Sequence, residues 1–115
     1  RLVKLEHLNQ MIANDLEVIS SGANVPFDDN EIFYGPICQR ADEVVSVIPD
    51  FISNCGMARA FSYFMQENID MQPKSVFKSV SETIKNALLE SYEENNEKNN
   101  IYKTALEIAL KKLLK

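Results

Sequence analysis

Residues 51–65 read FISNCGMARAFSYFM, and this stretch decides the expected fold. Its fifteen consecutive residues carry one charged side chain, Arg59, whereas apolar and charged residues alternate freely elsewhere in the chain. Gly56 lies inside the stretch and costs helix propensity, which indicates a neighbour packed closely against it. A helix that is apolar on all sides is typical of one surrounded by other helices. The sequence therefore predicts a buried central helix over residues 51–66.

Apolar residues on either side of this stretch repeat at the spacing of helical faces. They predict a first helix over residues 5–19, which ends at a Ser-Ser-Gly turn, and a second over 36–48, which begins at a proline. A fourth helix is predicted over 75–92. The polar run EENNEKNN then forms an exposed turn before a last helix over 101–114.

No segment alternates apolar and polar residues over enough positions to predict a strand. We therefore predict an all-α bundle of four to five helices around the central one. The length of 115 residues suits one domain, which we place over residues 1–115. Because the chain begins with Arg1 rather than Met, we interpret it as a piece excised from a longer protein.

The net charge of −5 is unevenly distributed. Residues 28–70 carry −6, whereas residues 74–115 carry +2, from eight lysines against six glutamates. A nucleic-acid reader needs a basic stripe to neutralise phosphates, and the lysines that close the last helix are better explained as partners of its dipole. The longest apolar run is far shorter than the roughly 18 residues of a membrane span. We expect neither a nucleic-acid partner nor a membrane span.

Residues that carry catalytic or metal chemistry are sparse. His7 is the single histidine, so no nucleophile with an imidazole base and no zinc site can be assembled from the usual residue types. The acidic pairs Asp28-Asp29 and Asp42-Glu43 fall in loops or on polar faces, where solvation explains them. The sequence therefore predicts no enzyme, no metal site and no cofactor.

The two cysteines fall on neighbouring predicted helices that Pro49 folds back on one another. A disulfide between Cys38 and Cys55, or from either to a second chain, stays open on this geometry. Cysteine is also among the residue types most often simply buried. We favour a free, packed thiol for Cys38, while for Cys55 the alternatives are close.

Large apolar side chains are numerous enough to form a ligand cavity or an interface as well as a core. At helical spacing such residues are more often plain core. The leading hypothesis is a non-catalytic helical module for self-association or protein–protein interaction. The alternatives are a small helical carrier of an apolar ligand, with its cavity among the first, third and fourth predicted helices, and an adaptor that docks a partner's helix. The candidate cavity or interface residues are Phe51, Phe61, Phe64, Met65 and Phe77.

Three short segments, LEVISSG at 16–22, VVSVIP at 44–49 and SNC at 53–55, resemble spider silk (spidroin) C-terminal domains in their order. That order is a helix, a Ser-Ser-Gly turn, a second helix and a central helix bearing a cysteine. The run MARAFSYF at 57–64 is similar in rhythm to helices of silk N-terminal and egg-case repeat domains.

This resemblance implies a secreted helical domain that dimerises and controls the assembly of a longer structural protein; without it, we expect a cytoplasmic location. Cys55 would occupy the place of the intermolecular cysteine. The acidic middle of the chain would respond to falling pH, because protonation relieves repulsion between two copies. The candidate acid-sensitive cluster comprises Asp28, Asp29, Glu31, Asp42 and Glu43.

Overall fold

The computed structural model describes residues 1–115, which form six helices and two short strands. In chain order the elements are α1 Leu5–Ala13, β1 Val18–Ser20, α2 Pro36–Val44, β2 Ser46–Ile48, α3 Asp50–Ser53, α4 Gly56–Phe64, α5 Pro73–Glu94 and α6 Ile101–Leu113. The prediction of an all-α bundle is wrong, because β1 and β2 pair in a parallel two-stranded sheet. The predicted helix start at Pro36 and the non-helical turn before α6 are both present.

The two strands occupy positions where the sequence predicted the last turns of helices. Helix α1 ends early because Asp15 takes the left-handed conformation, with φ 61°, which a continuing right-handed helix cannot include. The strands are rich in β-branched residues, which favour extended backbone when they pack on a neighbouring strand. Ile19 stands opposite the fully buried Val47. Three residues per strand are too few to show an alternating pattern.

The core lies where α1, α2, β2 and α6 meet. Leu8 and Ala41 are fully enclosed, and the aromatic ring of Tyr102 brings α6 onto the same cluster. The buried core residues are Leu8, Phe27, Cys38, Ala41, Val45, Val47 and Tyr102.

Two buried aspartates tie this core together by capping helices that begin elsewhere in the chain. The fully buried carboxylate of Asp42 accepts hydrogen bonds from the backbone N–H groups of Tyr102 at 2.8 Å and Lys103 at 3.0 Å, in the first turn of α6. Asp29 accepts corresponding bonds from Ile37 at 2.8 Å and Cys38 at 3.0 Å at the start of α2. A carboxylate at this position satisfies amide groups that have no partner within the helix and complements its dipole.

The prediction of a buried central helix over residues 51–66 is also wrong. The helix is interrupted at Asn54 and Cys55, and α4 beyond the break contains no buried residue. The hydroxyl of Ser53 donates to the Ser21 carbonyl oxygen at 2.5 Å, which fixes α3 beside the end of β1. Ile52 on α3 is buried, whereas α4 buries no residue and packs on α5. A lack of charge therefore marks an apolar helix here, not an enclosed one.

Helix α5 is much longer than the core that it packs against. Its 22 residues span about 33 Å at the α-helical rise. The whole molecule is elongated, with extents of 50 Å along one axis and 27 and 26 Å along the others.

Candidate interaction surface

Helices α4 and α5, with the connection over residues 65–72, form a unit that we call the hairpin. The two helices lie close where Gly56 faces Val80, since a β-carbon at Gly56 would lie 3.7 Å from Cγ1 of Val80. This separation is ordinary van der Waals contact.

The turn of the hairpin is organised by Asp70. Its carboxylate accepts a hydrogen bond from the Gln72 backbone N–H at 3.0 Å and from the Ser75 hydroxyl at 2.6 Å, at the start of α5. The Tyr63 hydroxyl donates to the carbonyl oxygen of Asp70 at 2.7 Å. The bond from Ser75, followed by that from Gln72, lowers the pKa of Asp70. These three hydrogen bonds to Asp70 therefore hold the turn of the hairpin in one conformation.

Helix α4 presents a row of exposed apolar side chains, which we call the apolar stripe. Met57, Phe61, Phe64 and Met65 are 70%, 63%, 44% and 85% exposed. The spacing of four and three residues places Met57, Phe61 and Phe64 on one face of α4, and Met65 follows at the C-cap of the helix. Phe77, on the α5 arm of the hairpin, is 70% exposed. Contiguous exposed apolar surface of this kind is typical of interaction sites.

Charges on α4, the connection and the start of α5 nearly cancel. Between residues 56 and 78 the charged side chains are Arg59, Glu67, Asp70, Lys74 and Lys78, which give a net charge of +1. Two copies that meet through this part of the chain would experience little mutual repulsion.

A second apolar feature is a groove between β2, α5 and α6, which we call the α5–α6 groove. It encloses about 620 Å³. The groove differs in position from the predicted cavity, which was expected among the first, third and fourth predicted helices. The apolar residues that line the groove are Ile48, Ile84, Leu88, Leu89, Tyr92 and Ile101.

The structure divides the predicted cavity or interface residues into two groups. Phe61, Phe64, Met65 and Phe77 all lie on the hairpin or at its turn, exposed to solvent. Phe51 instead belongs to an aromatic group at the core, where its ring centroid lies 5.5 Å from that of Tyr102. Four of the five residues are therefore exposed on the hairpin, whereas Phe51 packs against the core.

The predicted acid-sensitive residues are not one surface cluster. Asp28, Glu31 and Glu43 are exposed, but Asp29 and Asp42 are buried helix caps, so the interpretation of those two as solvated is wrong. Burial raises the pKa of Asp42, and its hydrogen bonds to α6 offset part of that rise.

The capping role of Asp42 was missed at the sequence level. A signal was present in the spacing, because Asp42 lies four residues after Cys38 and three before Val45, on the helical face that both residues bury.

Both cysteines are free thiols. Cys38 is buried in the core and Cys55 is half-buried at the break between α3 and α4. Burial, reinforced by the nearby carboxylates of Asp42 and Asp29, raises the pKa of Cys38 to about 12. The reactive thiolate form of Cys38 is therefore suppressed at neutral pH.

No three His, Cys, Asp or Glu side chains are grouped so that they would hold a metal ion. None of the six helices combines the length and the apolar character that crossing a membrane requires. No family model matches the chain, and neither a curated protein nor a solved structure matches it. The resemblance to silk domains stays a prediction.

Proposed function

We propose that this protein is a non-catalytic module that self-associates by burying the apolar stripe of α4 against a second copy of the chain. The observation that carries the proposal is the stripe itself. Three large apolar side chains lie on one face of α4 and a fourth, Met65, lies at its C-cap, while α4 buries none of its residues within the chain. Burial of such surface is the main favourable term in protein association.

The chain exposes more accessible surface than a compact monomer of the same mass. The accessible area is 8038 Å², whereas a compact monomer of 13.1 kDa exposes about 6,400 Å². The difference is about 1,600 Å², and a stable dimer buries about 800 Å² on each partner. The chain therefore exposes enough surplus surface for such an interface.

The hairpin side chains account for much of the area that a dimer needs. Phe61, Phe64 and Phe77 together expose about 350 Å², if a fully exposed phenylalanine contributes about 200 Å². Met57 and Met65 are exposed more fully still. A two-fold arrangement would place the same stripe on both sides of the contact, because such an interface is self-complementary.

Sedimentation velocity over a concentration series tests the proposal with one variant and one matched control. We expect a dimer for the wild type, a monomer for Phe61→Asp and a dimer for Leu114→Asp. Leu114 is 88% exposed just beyond α6, outside the hairpin, so its replacement adds the same charge elsewhere. Helical circular dichroism should be the same for all three. A wild type that stays monomeric, or variants that behave alike, would overturn the proposal.

Acid-driven assembly, which the resemblance to silk domains implies, requires a separate comparison at neutral and mildly acidic pH, with and without reductant. Three of the carboxylates between residues 28 and 70, those of Asp29, Asp42 and Asp50, are buried, so fewer remain on the surface to repel a second copy. A dimer fraction that rises on acidification supports the hypothesis. A constant fraction removes it and leaves association through the stripe unaffected. A reductant-sensitive dimer would identify Cys55, the more accessible thiol, as an intermolecular link.

A further inference from the structure

The α5–α6 groove carries a polar pair at one end. Ser81 and Lys85 lie one turn apart on the same face of α5 and line the groove. Neither side chain has a hydrogen-bond or ion-pair partner within the chain, unlike Lys78 and Lys112, which pair with glutamates. A hydroxyl donor and an ammonium group are therefore available together beside an apolar channel.

The polar groups farther along the groove are already satisfied. The Ser91 hydroxyl donates to the Ala87 carbonyl oxygen at 2.9 Å, and the Asn95 side-chain amide donates to the Asn99 carbonyl oxygen at 3.0 Å. Between the free pair and this end, the lining consists mainly of apolar side chains. A ligand would need a polar group at the Ser81 end and hydrocarbon elsewhere.

Charge favours one orientation of such a ligand. Glu97 lines the groove near Asn95, beyond the last turn of α5. Ser81 and Asn95 are separated by about 20 Å along the helix axis at the α-helical rise. An anionic group is attracted to Lys85 and repelled by Glu97, so it lies at the Ser81 end.

We infer that the α5–α6 groove binds a single-chain amphiphile with a terminal carboxylate, the chemistry of a long-chain fatty acid. Its carboxylate pairs with Lys85 and accepts a hydrogen bond from Ser81, and its chain lies over Ile84 and Leu88 towards Ile101. The volume of about 620 Å³ falls within the range of about 300–1,000 Å³ that small-molecule sites occupy. This site uses no residue of the apolar stripe and is independent of the proposed self-association.

Fluorescence titration with cis-parinaric acid, an 18-carbon conjugated fatty acid that brightens in apolar surroundings, measures binding directly. Dodecanoate, its methyl ester and dodecylammonium then compete for the site below their micellar concentrations. We expect displacement to be strongest with dodecanoate, weaker with the uncharged ester and weakest with the cation. No saturable binding of the probe, or equal displacement by all three competitors, would overturn the inference.

Variants identify the site. Lys85→Glu reverses an exposed charge and is expected to weaken dodecanoate binding about tenfold, because it removes an exposed ion pair that contributes up to about fivefold and adds repulsion between two carboxylates. The methyl ester should be little affected. Lys74→Glu makes the same change on α5 outside the groove, and we expect wild-type affinity for it. Equal behaviour of the two variants would contradict the placement.

The Phe61→Asp variant separates this inference from the proposed function. It should bind cis-parinaric acid as the wild type does, even if the wild type proves to be monomeric. Loss of probe binding in Phe61→Asp would place the ligand at the apolar stripe and overturn the groove assignment. A Lys85→Glu protein that dissociates in sedimentation velocity would show that the groove contacts a second copy, which would also overturn it.

Discussion

Replacing Asp42 with alanine is expected to lower the free energy of unfolding by about 3 kcal/mol at neutral pH. The carboxylate is fully buried, and it joins α2 to the first turn of α6 through the N–H groups of Tyr102 and Lys103. It also accepts a hydrogen bond from the Tyr34 hydroxyl at 3.0 Å. Alanine would leave all three donors without this acceptor.

The magnitude follows from what those donors lose. Removal of a helix N-cap costs about 0.5–2 kcal/mol, and a buried donor left without a partner costs about 1–3 kcal/mol. The Tyr102 amide lies in the buried part of the core, whereas Tyr34 is only partly buried and regains a bond to water. A total of about 3 kcal/mol is a large share of the about 5–15 kcal/mol that stabilises a typical domain.

Urea denaturation followed by far-ultraviolet circular dichroism measures the change. Asp28→Ala is the matched control, because Asp28 is an exposed aspartate whose side chain makes no hydrogen bond, and its replacement should change stability by less than about 0.5 kcal/mol. An Asp42→Ala protein within about 1 kcal/mol of the wild type would refute the capping argument.

Three further outcomes follow from the same core. Because burial raises the pKa of Asp42 in the folded state, the folded protein holds that proton more tightly than the unfolded chain. The unfolding free energy of the wild type, relative to that of Asp42→Asn, should therefore fall as pH rises from about 4 through the folded-state pKa, and should level off above it. Urea titrations across this pH range measure the difference. A difference that rises with pH would contradict the expected effect of burial. Gly35→Ala would place a β-carbon 2.5 Å from Cβ and Cγ of Asp29. We therefore expect the free energy of unfolding to fall by about 2 kcal/mol or more in the same denaturation assay. Wild-type stability would refute the expected clash. With a thiol-specific reagent at neutral pH, Cys55 should react at least about tenfold faster than Cys38, because burial suppresses the thiolate form of Cys38. The rates are measured on the two single-cysteine variants. Equal rates would count against the burial of Cys38.

Local signals predicted much of the helical content. Pro36 fixes the backbone angle that suits a first helical position, and the run over residues 93–100 has no apolar side chain to pack, so α2 and the break before α6 follow from nearby residues. The low charge of residues 51–65 indicated an apolar helix, but the predicted burial of that helix was wrong. These properties depend on side chains a few positions apart and are therefore visible in the chain itself.

Tertiary structure decided which surface each segment would meet. The pairing of Ile19 with Val47 joins residues 28 positions apart, and three-residue strands gain their stability from that partner rather than from their own pattern. The exposure of α4 depends on where α3 is fixed by Ser53, and the burial of Asp42 depends on amide groups about sixty residues away. Composition could establish that the chain had apolar faces to cover, but long-range contacts determined that the core was completed without α4, which left its apolar stripe exposed to solvent.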